Sequence, residues 1–336
     1  MSLGRSAGVS DTGRRRRRNE DSYVCEPPLF AVADGMGGAQ AGEVASRLAA
    51  AVLQEAEGEE LSRARVVELI QEANRRVFQR STEDAAASGM GTTMTVALVE
   101  SSDTVAIGHV GDSRAYRVRD GRLEQLTEDH SLVGELMRSG KLSAEEAETH
   151  PQRSVITRAL GTEPDVDVDT FAVETKPGDV FLLCSDGLTT MVSDREILAH
   201  VDESGGDLDQ AARRLVEAAN SSGGEDNITV VVFEIAEGDA EETTRLPAAA
   251  ASGAYEPDDE DTLSGLEAVP AVDTAVVPAD EIAAHLERED ERATAPSPRR
   301  PAARRPTSGS PSLLPLLVLA VVLLALALLV VWGLYR

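Results

Sequence analysis

Five short acidic motifs punctuate the first 227 residues: Asn19-Glu20-Asp21, Asp34-Gly35-Met36-Gly37-Gly38, Gly111-Asp112-Ser113-Arg114, Ser185-Asp186-Gly187 and Glu225-Asp226-Asn227. Four of them abut an apolar or β-branched run, at residues 29–33, 104–110, 180–184 and 228–235. Short runs of that composition read as strands, so the carboxylates fall at strand ends of one sheet system. A set of carboxylates gathered in this way suits a hard divalent cation, which takes oxygen ligands.

Between the motifs the chain alternates helical and strand patterns. Over 39–55 small and apolar positions recur near helical spacing (Val44, Leu48, Ala51, Val52, Glu55), and 61–80 repeats this with Val66, Leu69, Ile70, Ala73 and Val77. Both are predicted amphipathic helices. The β-rich runs 92–99, 104–110 and 115–118, joined by turn-like 100–103 and by Asp120-Gly121, predict an antiparallel meander. Residues 131–140 and 142–149 are helical in pattern before His150-Pro151, and the span 131–162 is expected to be a mobile flap. Helices at 194–201 and 207–219 and a closing strand at 228–235 follow. Strands bracketed by helix pairs predict an α+β fold, a four-layer α-β-β-α sandwich of two antiparallel sheets. No internal repeat is evident.

Residues 1–236 carry 24 basic and 42 acidic side chains, a net charge of −18. Such acidity disfavours nucleic acid, whose phosphates demand clustered Lys and Arg. The one local exception is the run Arg14 to Arg18, which reads first as a solvated basic turn. Cys25 and Cys184 are too few and too far apart for a disulfide framework, and buried reduced thiols are expected. From 237 to 292 there are 17 acidic and 3 basic residues with no apolar period, so 237–311 is predicted to be a disordered linker. Residues 313–332 hold no charged side chain over 20 positions, enough for a helix of roughly 30 Å across a bilayer. A transmembrane helix over 312–333 is predicted, with Arg299, Arg300, Arg304 and Arg305 just before it keeping the N-terminal domain cytoplasmic. The segment reads as a tail anchor without an outer domain.

Singly, each Asp-Gly pair is an ordinary turn former. In this order, and joined by Gly91-Thr92-Thr93, the motifs closely resemble those of the metal-dependent protein phosphatase (PPM) family, the type 2C serine/threonine phosphatases, in bacterial form, over about residues 8–236. The resemblance implies two Mn²⁺ or Mg²⁺ ions bridged by Asp34, with the Gly35 carbonyl on one of them and Asp186 and Asp226 on the other. It implies that Glu20 and Asp21 hold metal-bound waters, and that Asp112 with Asp186 supports a third ion. The arginine four residues before Glu20, Arg16, matches the position that grips substrate phosphate. Met36 stands where many eukaryotic members have a histidine thought to protonate the leaving group. His109, His130 and His150 are expected to be structural.

The activity implied is hydrolysis of phosphoserine and phosphothreonine on cytoplasmic proteins by a metal-bridged water, opposing Hanks-type kinases. The alternative is a membrane-anchored pseudophosphatase that binds phosphoproteins without turnover, against which the complete acidic set argues. Thr243, Thr244, Thr262 and Thr274 lie in acidic surroundings as candidate kinase targets, although an inert spacer explains the same composition.

Overall fold

The computed structural model describes residues 2–37, 41–101, 103–148, 150–236 and 275–276. Two antiparallel sheets form its centre. One has five strands in the order β1 (Ser2–Asp11), β12 (Ile228–Ala236), β11 (Val180–Cys184), β7 (Arg114–Arg119) and β8 (Arg122–Gln125). The other runs β10 (Asp169–Glu174), β6 (Thr104–Val110), β5 (Met94–Ser101), β3 (Leu29–Met36) and β2 (Asp21–Glu26), with the short β4 (Gly91–Thr92) paired to β3.

The central strands are apolar on both faces because each sheet is covered twice. In β3, Ala31 and Ala33 face the helices α1 (Ala41–Glu55) and α2 (Arg63–Glu83), packing with Val52, Leu53, Leu69 and Ile70. Phe30 and Val32, one residue out of phase, face the second sheet. In β12, Val230 and Val232 meet Leu208, Leu215 and Ile197 of helices α6 (Asp194–Glu203) and α7 (Leu208–Ser221), while Val231 and Phe233 point inward. Between the sheets Phe30, Phe233 and Phe181 form a continuous stack, with ring centroids 4.2 and 5.1 Å apart. The layers therefore run helix, sheet, sheet, helix.

Local chemistry explains most boundaries. Ser62 caps α2 by accepting the Arg65 N–H, Asp207 caps α7 through Gln210, and Ser193 with Glu196 forms a capping box on α6. Between the sheets' chain crossings lie α3 (Leu132–Arg138), α4 (Ala144–Glu148), β9 (Val155–Ile156) and α5 (Asp186–Thr189). The two-residue β13 (Ala275–Val276) lies parallel to β9.

Several expectations need correction. The run 92–118 is not one meander: β5 and β6 pair, but β7 crosses to the other sheet, where it pairs with β11. On α1 the buried face is Ala41, Ala45, Ala49, Val52 and Leu53, and Val44 is 36% exposed, because close helix–sheet packing selects the alanine stripe over the bulkier one. Cys184 is buried and Cys25 only half-buried, since β2 is an edge strand; both are free thiols. β1, β8 and β10 went unrecognised because their composition is polar or glycine-containing and their pairing is long-range. Gly38, the predicted linker at 237–311 apart from β13, its threonines, and the predicted span at 312–333 lie outside the described residues. Among the described residues no helix is long and apolar enough to cross a membrane.

Candidate metal centre

Register brings the acidic motifs together. Asp21, the first residue of β2, lies directly across from Asp34 near the end of β3. From the other sheet, Asp186 opens α5 immediately after β11, and Asp226 precedes β12, the neighbour of β11. Asp112 sits in the turn where the chain leaves β6 for β7. The hydroxyls of Ser185 and Thr229, on one sheet, donate to Asp21 Oδ2, on the other, at 2.9 and 2.6 Å. Two side-chain hydrogen bonds thus bind the sheets together at the site.

Asp34 is fixed through its backbone. Its N–H donates to Thr93 Oγ1 at 3.0 Å, and its carbonyl accepts from the Thr93 N–H and the Thr92 hydroxyl, both at 2.9 Å. Thr93 Oγ1 is 2.7 Å from Ser113 Oγ, which ties the Asp34 strand to the Asp112 turn. Gly-Thr-Thr was legible as a motif, but its task was not. A Cβ on Gly35 would collide with the Gly42 carbonyl at the start of α1 and with the Glu20 carbonyl. The glycine is thus demanded by chain packing. At Gly187 a Cβ would strike the Asn227 carbonyl, so the Asp186 turn lies directly on the Asp226 loop.

Asp21, Asp34, Asp186 and Asp226 are half-buried and Asp112 is buried. Burial, and then Asp21, Asp186, Asp226 and Asp112 in turn, push the Asp34 carboxyl well above its ordinary range. Burial and the neighbouring carboxylates do the same to Asp186. Burial raises Asp21 to about 6 and Asp112 to about 7, with Asp129 adding to the latter. Glu20 is raised by burial and partly relieved by Arg16. Asp21 Oδ1 is buried and receives no hydrogen bond. So much unneutralised negative charge, with an orphaned acceptor in its midst, fits a site built for cations. Among the described residues no three His, Cys, Asp or Glu side chains close onto a single point. The set is therefore no closed cage; Mg²⁺ keeps several waters and takes one or two carboxylates, which a spread cluster satisfies.

Arg16 is the arginine that turns inward: its Nη2 donates to Asp226 Oδ2 at 2.8 Å. Asn227, named in the fifth motif, has a role the motif did not disclose: it is buried beside Asp226. Its Oδ1 accepts the Glu20 N–H at 2.8 Å, and its Nδ2 donates to the carbonyls of Thr12 and Arg18 at 2.9 and 2.8 Å. Asparagine after aspartate is a common turn signal, and nothing local marks it as a clamp on residues 200 positions earlier. Arg114 of the Gly-Asp-Ser-Arg motif grips Asp129 with both ends of its guanidinium, at 2.9 and 2.6 Å.

His109, His130 and His150 are each held by hydrogen bonds within the fold. His109 is fully buried between Thr95 Oγ1 and the Glu128 carbonyl, and burial followed by the nearby His130 drives it down to about 3. His130 Nδ1 accepts the Gly111 N–H at 3.0 Å, which leaves its Nε2–H to donate to Asp169 Oδ2 at 3.1 Å. His150 Nδ1 accepts the Gln152 N–H within its own turn. Met36 is buried against Ile156 and Ala159 of the segment expected to be a flap, and brings no titratable proton to the site. A depression of about 620 Å³ at the start of α2, lined by Ser62, Arg63, Val67, Glu100 and Thr170, contains none of the site residues.

The family model for protein phosphatase 2C matches residues 15–228, a span that includes all five motifs. The chain belongs to the protein phosphatase 2C family. Among curated members, the serine/threonine phosphatase stp of Listeria welshimeri is 44% identical over 237 residues, 67% of this chain and 93% of the relative. The serine/threonine protein phosphatase PstP of Mycobacterium tuberculosis is 40% identical over 252 residues, 74% of this chain and 48% of its own. The crystal structure of M. tuberculosis PstP superposes with a TM-score of 0.67 at 39% identity, covering 70% of this chain and all of that one. A structure of the PstP catalytic domain in complex with two manganese ions gives a TM-score of 0.64 at 38% identity, covering 70% of this chain and 99% of that one. The 2C phosphatase fold is thus the two-sheet architecture described above.

Proposed function

We propose that the chain is a metal-dependent phosphoprotein phosphatase that hydrolyses phosphoserine and phosphothreonine on cytoplasmic proteins. The observation that carries this reading is the meeting of Asp21 and Asp34 from one sheet with Asp186 and Asp226 from the other, and Asp112 between them, each of the other four bearing on Asp34. Asp34 would bridge two Mn²⁺ or Mg²⁺ ions, with the Gly35 carbonyl on one and Asp186 and Asp226 on the other. Glu20 and Asp21 would orient waters around the pair, and Asp112 with Asp186 would support a third ion. Such ions, when bound, neutralise phosphate oxygens and lower the pKa of an attacking water.

The rest falls to the chain's own groups. Thr92 and Thr93 fix the backbone of Asp34, which limits how far its carboxylate can shift on loading. Arg16, held by the Asp226 loop, would offer its planar guanidinium to two phosphate oxygens at once. With Met36 in place of a histidine, no side chain at that position delivers a proton to the leaving oxygen. The sequence of residues 313–332 supports a membrane tether, and Hanks-type kinases and their substrates are the phosphoproteins such an enzyme would oppose. Cell fractionation, with the protein released by alkaline wash, would refute the tether.

Asp34→Asn tests the mechanism. Mn²⁺-dependent hydrolysis of p-nitrophenyl phosphate and of a phosphothreonine peptide should fall by about two orders of magnitude or more, because the bridging ligand is lost. Undiminished turnover in that variant would end this reading and favour a different centre.

A further inference from the structure

The arginine run is not the free basic turn its sequence suggests. Asn227 holds both of its ends, through the Thr12 and Arg18 carbonyls, and the Arg14 and Arg15 N–H groups donate to the Gly224 carbonyl at 2.7 and 3.1 Å. The loop is therefore pinned to the segment that carries Asp226. Arg16 is half-buried on Asp226, whereas Arg14, Arg15 and Arg17 are exposed, and none of the three makes an ion pair among the described residues. Among the described residues Glu225, exposed on the facing loop, forms no salt bridge with them. Consecutive Cα atoms are about 3.8 Å apart, so Arg15 and Arg17 flank, at one peptide's distance, the residue that reaches into the site.

Three guanidinium groups without an ion-pair partner among the described residues, carried on one short pinned loop, repel one another. On a domain of net charge −18 they gather positive charge beside the segment that carries Asp226. Guanidinium geometry matches phosphate and carboxylate oxygens in pairs. The acidic remainder of the surface opposes any polyanion that must extend across it, such as nucleic acid or an anionic bilayer, and admits a short segment that ends its charge at the rim.

We propose that Arg14, Arg15 and Arg17 form a basic rim that selects phosphoprotein segments carrying a second negative group, a further phosphate or a carboxylate, next to the phosphoserine or phosphothreonine in the metal centre. This rests on the phosphatase reading above. Exposed ion pairs are each worth a few-fold at most, so the three together should give about tenfold. The preference should fade as salt rises, because the screening length drops from about 10 Å at 0.1 M to about 3 Å at 1 M.

The test is fluorescence anisotropy with the detergent-solubilised full chain and Mn²⁺. The probes are peptides bearing a non-hydrolysable phosphonate in place of phosphothreonine, either alone, with two flanking glutamates, or with a second phosphonate. The wild type should bind the last two about tenfold more tightly than the first, and the R14S/R15S/R17S variant should show a ratio near one. A wild-type ratio near one, or the same ratio in both proteins, would overturn the proposal. So would equal displacement of the peptide by a single-stranded oligonucleotide or by phosphatidylserine vesicles, which would mark a general polyanion surface. Binding to phosphonates needs no turnover: failure of Mn²⁺-dependent p-nitrophenyl phosphate hydrolysis would overturn the phosphatase reading and leave this ratio measurable.

Discussion

Four other carboxyl groups bear on Asp34, whose backbone Thr92 and Thr93 hold in place. Without cations that convergence costs stability. Asp21 at about 6 and Asp112 at about 7 lie above the unfolded carboxylate value of about 3.9, so between those pH values the folded chain binds the extra protons. Their contribution is present below pH 4 and lost as pH rises through 6 to 7. Cations need the same groups deprotonated, so the gap in melting temperature between Mn²⁺-loaded and EDTA-treated protein should widen from pH 5.5 to 7.5. Calorimetry at several pH values checks it, and a constant gap would count against these carboxylates as ligands. His109 acts in the opposite sense. Its folded value of about 3 lies below the unfolded value of about 6.5, so stability is lost as pH falls through that interval. The unfolding free energy of the wild type relative to His109→Asn should decline between pH 7 and 5, by up to about 1.4 kcal/mol per unit. Denaturant titrations at the two pH values would show it.

At the scale of elements, the site depends on loops that lean on each other. Asn227 makes three hydrogen bonds to the segment before β2, and Asn227→Ala should cost about 3 kcal/mol, since it removes all three from a part-buried clamp. For a domain of this size that is roughly 6 to 12 °C in melting temperature. Gly187→Ala sets a methyl group against the Asn227 carbonyl and must push the Asp186 turn off the Asp226 loop. Its signature should be a Mn²⁺ affinity at least about tenfold weaker, measured by isothermal titration, with a smaller change in thermal stability. The acidic motifs themselves were legible because carboxylate, glycine and strand adjacency are all local. The roles of Thr93, Ser185, Thr229 and Asn227 were not, because a hydroxyl or an amide acquires its role from a partner on another strand.

Over the whole molecule, two sheets from interleaved parts of the chain close on an apolar middle layer. Phe233 lies in it between Phe30 and Phe181, and Phe233→Ala should destabilise by about 3–5 kcal/mol, read by urea unfolding. The same packing sets the distance between Asp21 and Asp34 on one sheet and Asp186 and Asp226 on the other. That variant should therefore also weaken Mn²⁺ binding, although no mutated atom touches the site.

The sequence by itself marked the acidic motifs, the strands that bear them and the helix pairs that flank those strands; the arginine register came from the family resemblance. The motifs, strands and helices are properties of residue type and short spacing. Tertiary structure alone decided which strand joins which sheet, which face of α1 is buried, and that the arginine run is a pinned loop with one member turned inward. Pairing across 200 residues is chosen by burial and by backbone hydrogen bonds, neither of which leaves a local mark in the chain.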